Sequence, residues 1–213
     1  LENVVLQDGL EKIGDSAFYD TSLETVRIPD TVSEMGSGVF GGSTKNSLAE
    51  MKWPAGVPVI PYGYFNECTA LKKVEIPEGV TQIENGGQFT GTFGNCTSLE
   101  TVALPSTLEN IGDWAFDGCT NLREINLSEG VRVVGNYAFY RCESMTEADL
   151  TGVKSIGDRA FDGCKALVKA DLTGAESIGD GSFYGCSALE NVVLQDGLEK
   201  IGDSAFYDTS LET

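Results

Sequence analysis

Six cysteines are the residues of this chain best suited to chemistry, and their spacing argues against it. Cys68, Cys96, Cys119, Cys142, Cys164 and Cys186 each stand three residues after a phenylalanine. No C-x-x-C occurs and the chain has no histidine, so a zinc site would need four thiolates from four separate phrases. The column reads as buried free thiols acting as small hydrophobes. The missing histidine also removes Ser-His and Cys-His nucleophilic mechanisms. Carboxylates are the other candidates. Asp15, Asp113, Asp158, Asp180 and Asp203 each follow a glycine, where they suit the N-cap of a short helical turn. Glu124, Glu147, Asp149 and Asp171 should cluster on one face. Calcium needs six to eight oxygens from a dedicated loop, and no such loop is written here. A solvated acidic face is the reading. The sequence therefore predicts no enzyme, no metal and no cofactor.

The charge points the same way. The 213 residues hold 14 Lys+Arg against 33 Asp+Glu, a net charge of −19. Nucleic acid and anionic membrane surfaces need a basic footprint that is missing. No apolar run approaches the ~20 residues of a membrane span.

The elements that position these residues are repeated. The phrase I-G-x-x-A-F and its variants place Phe18, Phe40, Phe65, Phe93, Phe116, Phe139, Phe161, Phe183 and Phe206. The leucine-type openings between them recur every 22 to 28 residues, mostly 22 or 23. A fixed short period marks a solenoid. In the unit LETVALPSTLENIGDWAFDGCTN, Val102 and Leu104 alternate with Thr101 and Ala103, as in a half-buried strand. Pro105 ends that strand, Gly112 allows a turn, and Ala115 and Phe116 belong to a short helical turn. No unit can bury its apolar face alone.

LETVALPSTLENIGDWAFDGCTNL and LREINLSEGVRVVGNYAFYRCESM resemble the BspA-like, or treponemal-type, leucine-rich repeat family, and the resemblance runs through every unit. It implies an α/β repeat solenoid. A parallel β-sheet would line the concave face, with short helical turns on the other side, and residues 1–213 would form one domain of about nine units. It also implies a cell-surface or extracellular protein linked to adhesion, with no catalytic residues to carry over.

Two candidate contact surfaces follow from the repeat. On the strands, one row reads Thr25, Glu50, Lys73, Thr101, Glu124, Glu147, Lys169, and the next reads Arg27, Lys52, Glu75, Ala103, Asn126, Asp149, Asp171. Cations (Arg27, Lys52, Lys72, Lys73) come early and acids late, a polarity that steers a charged partner or is scatter on a soluble face. Trp114 and Tyr137 share a position two before the phenylalanine, beside Arg159 in the next unit. They form an aromatic patch for a protein or glycan, or cover one another. Insertions at Gly41 to Lys45 and Glu84 to Thr90 are either binding loops beside the cations or loop drift. Asn95-Cys96-Thr97 and Asn126-Leu127-Ser128 fit the glycosylation sequon.

The expected function is a non-enzymatic binding or adhesion module for a protein or glycan, with a structural spacer in a long tandem array as the alternative. The ends add one expectation. Leu1 to Thr25 and Leu189 to Thr213 are the same 25 residues at an offset of 188. That identity suggests a window from a longer array, whose uncapped ends would associate end to end.

Overall fold

The computed structural model describes residues 4–42, 47–127 and 130–212. Leu1, Thr213, Ser128 of one sequon and most of the first insertion's extension lie outside them.

Among these residues there are seventeen short strands and no helix. They alternate between two parallel sheets as the chain coils. The eight-stranded sheet takes β2 (Thr25–Val26), β4 (Glu50–Lys52), β6 (Lys73–Glu75), β8 (Thr101–Ala103), β10 (Glu124–Asn126), β12 (Glu147–Asp149), β14 (Lys169–Asp171) and β16 (Asn191–Val193). The seven-stranded sheet takes β5 (Val59–Ile60), β7 (Gln82–Ile83), β9 (Asn110–Ile111), β11 (Val133–Val134), β13 (Ser155–Ile156), β15 (Ser177–Ile178) and β17 (Lys200–Ile201). β1 (Lys12–Ile13) and β3 (Glu34–Met35) pair separately. The strand rows fall in the expected register: Glu124 faces Glu147, which faces Lys169. The architecture is a parallel β-solenoid of the leucine-rich-repeat kind.

The expected helical turns are absent, and backbone conformation explains why. The segment around each phenylalanine is a corner with two left-handed positions. Trp114 (φ 60°) and Gly118 (φ 69°) flank Phe116, and Tyr137 (φ 56°) and Arg141 (φ 57°) flank Phe139. Left-handed residues interrupt a right-handed helix. Corner amides bond outward to the next unit instead, as Phe116 N–H does to Ala138 O at 2.7 Å.

The aspartate column is corrected with it. Asp113 caps no helix: its Oδ1 accepts the Asn136 amide of the next unit at 2.7 Å. Asn136 Oδ1 accepts the Asp158 amide, Asp158 the Asp180 amide, and Asp180 the Asp203 amide. The side chains form a ladder between units. Gly112 likewise is not a left-handed turn residue. A Cβ there would run into the backbone of Glu84 in the preceding unit. Pro61 occupies that column in the third unit, and there the Tyr62 amide bonds Glu84 Oε2 instead of the unit before it.

The core is a stack of rings. Phe18, Phe40, Phe65, Phe93, Phe116, Phe139, Phe161, Phe183 and Phe206 lie face to face in sequence, with centroids 4.9–6.2 Å apart. The third unit swaps the small residue before its phenylalanine for Tyr64, which packs edge-on to Trp53 at 4.9 Å. The buried Trp53 indole N–H donates to Val57 O at 2.8 Å.

All six cysteines are buried and none is in a disulfide. Each thiol donates to the phenylalanine carbonyl of the unit before it, for example Cys142 to Phe116 O at 3.3 Å. That contact explains the column: it needs a small apolar group with one weak donor. Thr21 and Thr209 fill the same place, and their hydroxyls turn back to the carbonyls of Phe18 and Phe206 in their own units. Burial raises the pKa values of Cys96, Cys119, Cys142, Cys164 and Cys186, the last to about 12. A thiol reagent at neutral pH is expected to label none of the six on the native chain within minutes and all six in denaturant without reductant. Fewer than six in denaturant would show a disulfide.

Candidate functional site: a charged hollow on the eight-stranded sheet

The eight-stranded sheet exposes every second residue. In β4, Glu50 and Lys52 point outward and Met51 inward, and β6 repeats this with Lys73, Val74 and Glu75. Side chains from β2, β4 and β6 surround a hollow of about 410 Å³. Arg27, Lys52 and Lys73 all line it, with Glu50 and Glu75, and Met51 forms part of the floor. None of these three cations is in an ion pair with a described residue. By contrast Lys12, Lys154 and Lys165 are paired with Glu34, Glu176 and Glu143. Lys72 is exposed but lies outside this lining.

The same sheet carries a second hollow of about 530 Å³ over β12 and β14. Glu147, Asp149 and Asp171 line it with a single cation, Lys169, which lies 3.7 Å from Asp171. Asp171 is held below the usual carboxylate range, first by the Thr173 hydroxyl. The two hollows thus differ in sign, three cations against two carboxylates in one and three carboxylates against one cation in the other.

The insertion at Glu84 to Thr90 does not join the cationic hollow, contrary to expectation. It enters between β7 and the Phe93 corner, and none of its residues lines that hollow.

The aromatic patch is assembled, but closed on itself. Trp114 and Tyr137 stack with centroids 4.1 Å apart and 4° between planes, and Tyr140 packs edge-on to both. All three are half-buried. Arg159 is not stacked on them. Its Nη1 donates to Asp162 Oδ2 at 2.7 Å, and its guanidinium lies 5.5 Å from the Tyr184 ring centre.

At this corner Asp117 is 8 % exposed, and burial pushes its carboxyl up to about 6 against the pull of Arg141. The folded state therefore holds this proton more tightly than the unfolded chain does. The group's contribution is neutral below about pH 4 and becomes destabilising as pH rises to about 6. Asp117→Asn is expected to raise unfolding free energy at pH 7 by about 1 kcal/mol, discounted because solvent reaches part of the carboxyl. The gain should vanish near pH 4. Denaturant titrations at the two pH values check it, and an equal gain at both would contradict it.

Among the described residues no three His, Cys, Asp or Glu side chains converge as metal ligands, and no helix is long and apolar enough to cross a membrane.

Comparison with known families now decides what this stack is. The BspA type leucine rich repeat region matches in six copies over residues 1–90 and 89–212. The chain belongs to that family. Among solved structures, a T. pallidum leucine rich repeat protein is 30 % identical over 76 % of this chain and 74 % of its own, with a TM-score of 0.67. A leucine-rich repeat protein from Bacteroides ovatus is 27 % identical over 98 % of this chain, with a TM-score of 0.52. A leucine rich cell surface protein from Faecalibacterium prausnitzii is 23 % identical over 91 % of this chain, with a TM-score of 0.51, and shows the fold alone. This BspA-type chain spans 64 % of the Bacteroides protein and 53 % of the Faecalibacterium one. No curated protein matches it.

Proposed function

We propose that this chain is a non-enzymatic binding module of a cell-surface or extracellular protein, and that it engages an anionic protein or glycan through the sheet hollow lined by Arg27, Lys52 and Lys73. The observation that carries this reading is the gathering of three unpaired cations around one concavity in a chain of net charge −19. The long-range repulsion for anions is thereby weakened at one place, which favours an oriented encounter. The acidic hollow at β12 and β14, on the same face of the sheet, would repel the same anion and so set its direction along the sheet. The Trp114–Tyr137 pair ranks second as a contact, because its rings already cover each other.

A spacer role is the competing reading, favoured by the regular stack and by the repeated 25 residues. End-to-end contact between chains belongs to it.

An interaction screen separates the two. Purified chain is applied to immobilised extracellular-matrix proteins and to sulfated and carboxylated glycans at low and at physiological ionic strength. Binding module behaviour is retention by one acidic member that weakens with salt. Retention of nothing, with concentration-dependent self-association, would replace this reading by the spacer.

A further inference from the structure

We propose that the corner of the first four units holds a second binding site, for a neutral saccharide. It shares no lining residue with the sheet hollow and does not depend on it. One column of the corner stands two residues before each phenylalanine. Further along, this column holds Gly91, Trp114, Tyr137, Arg159, Gly181 and Ser204. In the first three units it holds Ser16, Gly38 and Gly63, all left-handed (φ 53°, 62° and 63°). Where the fifth, sixth and seventh units fill the corner with large side chains, the first three leave a groove of about 310 Å³. That volume is at the lower end of small-ligand sites, which run roughly 300–1,000 Å³.

Three rings wall the groove. Tyr19 is 55 % exposed, Tyr62 48 % and Phe89 65 %. Among the described residues none of the three packs against another ring. Tyr19 lies over Gly41 of the next unit, which offers it no ring. Phe89 adds a second signal. It sits at φ 70°, which is costly for a bulky residue, and its exposure returns nothing for that strain. A local turn holds it there, with the Thr90 amide on Gly87 O at 2.9 Å and the Gly87 amide on Thr90 Oγ1 at 2.9 Å.

The rest of the lining is polar. Ser16, Ser37 and Thr90 present hydroxyl groups, and Asn66 lies in the lining with a buried Oδ1 that has no hydrogen-bond partner among the described residues. Rings beside small hydroxyl and amide groups match a pyranose, which offers an apolar C–H face and a rim of hydroxyls. Asp15 is the one charged residue in the lining, so an anionic sugar is disfavoured. The last insertion expected to be a binding loop thus lines this groove, through Phe89 and Thr90.

The test is titration of the chain with neutral cello-, manno-, galacto- and chito-oligosaccharides, followed by variants against whichever binds. Tyr19→Ala, Tyr62→Ala and Phe89→Ala are each expected to weaken binding about tenfold, the worth of one stacking ring. Tyr207→Ala, the same residue in the same local sequence, should leave binding unchanged, as should reversal of Arg27, Lys52 and Lys73. Thermal midpoints should be unchanged throughout, because all three rings are exposed. Binding by none of the four oligosaccharide classes would overturn the proposal. So would binding that survives the three groove variants, or binding lost equally in Tyr207→Ala.

Discussion

Phe139→Ala is expected to lower unfolding free energy by about 3–5 kcal/mol, the range for a large ring removed from a core. Phe139 is fully buried, with Phe116 at 5.2 Å on one face and Phe161 at 5.1 Å on the other. Deleting the ring leaves a void between two units that no neighbour can close without breaking the β10–β12 or β12–β14 registers. In a solenoid the interfaces between units supply most of the stability, so a void in the middle loosens both halves. The same change at Phe206 should cost only about 1–2 kcal/mol. That ring is partly exposed and has one stacking partner, Phe183 at 5.3 Å. Urea unfolding of the two variants checks this. Equal losses would mean that the ring ladder does not carry the stack.

Gly157→Ala should be nearly as damaging, at about 3 kcal/mol or more, by the opposite mechanism of overpacking. A Cβ at Gly157 would lie 2.6 Å from Asn136 N and 2.6 Å from the Gly135 carbonyl carbon. Both are backbone atoms of the preceding unit, so relief requires the stack itself to open. It would also press on Asn136 Oδ1, which holds the Asp158 amide. Gly14 occupies the same column in the first described unit, and nothing lies within 4 Å of a Cβ there. Gly14→Ala should therefore be neutral or stabilising by a few tenths of a kcal/mol. Thermal unfolding of both variants decides it. A Gly157→Ala loss below about 1 kcal/mol would show that units are not held at this spacing.

These two results locate what the sequence makes legible. The phenylalanine period, the cysteine column and the strand rows could be read directly, because each is one residue type returning at one place in the coil. The ring ladder, the thiol-to-carbonyl contacts and the register of Glu124 with Glu147 are their physical form. The corner was not legible. Its left-handed positions are filled by Trp114, Tyr137, Arg141 and Arg159 as well as by glycine, so the usual glycine signal for positive φ is diluted. Without it, Gly-Asp-x-Ala-Phe reads as a capped helical turn. The aspartate ladder was hidden for a related reason, since its acceptors serve amides one unit away.

The candidate site was legible in part. Arg27, Lys52 and Lys73 follow from two strand rows and do meet around one hollow. The closure of Trp114 on Tyr137, and the groove between Tyr19, Tyr62 and Phe89, arise from the packing of neighbouring units. Nothing in the order of residues tells whether an exposed ring finds a cover.

The most direct test of the binding reading is the association rate of an acidic partner with the triple variant Arg27→Glu, Lys52→Glu and Lys73→Glu, measured at low ionic strength. Reversing three exposed charges should slow association about tenfold or more, and added salt should shrink the difference. Stability should stay within about 0.5 kcal/mol of the parent, because none of the three side chains is in the core. An unchanged association rate with intact folding would contradict the assignment of this hollow.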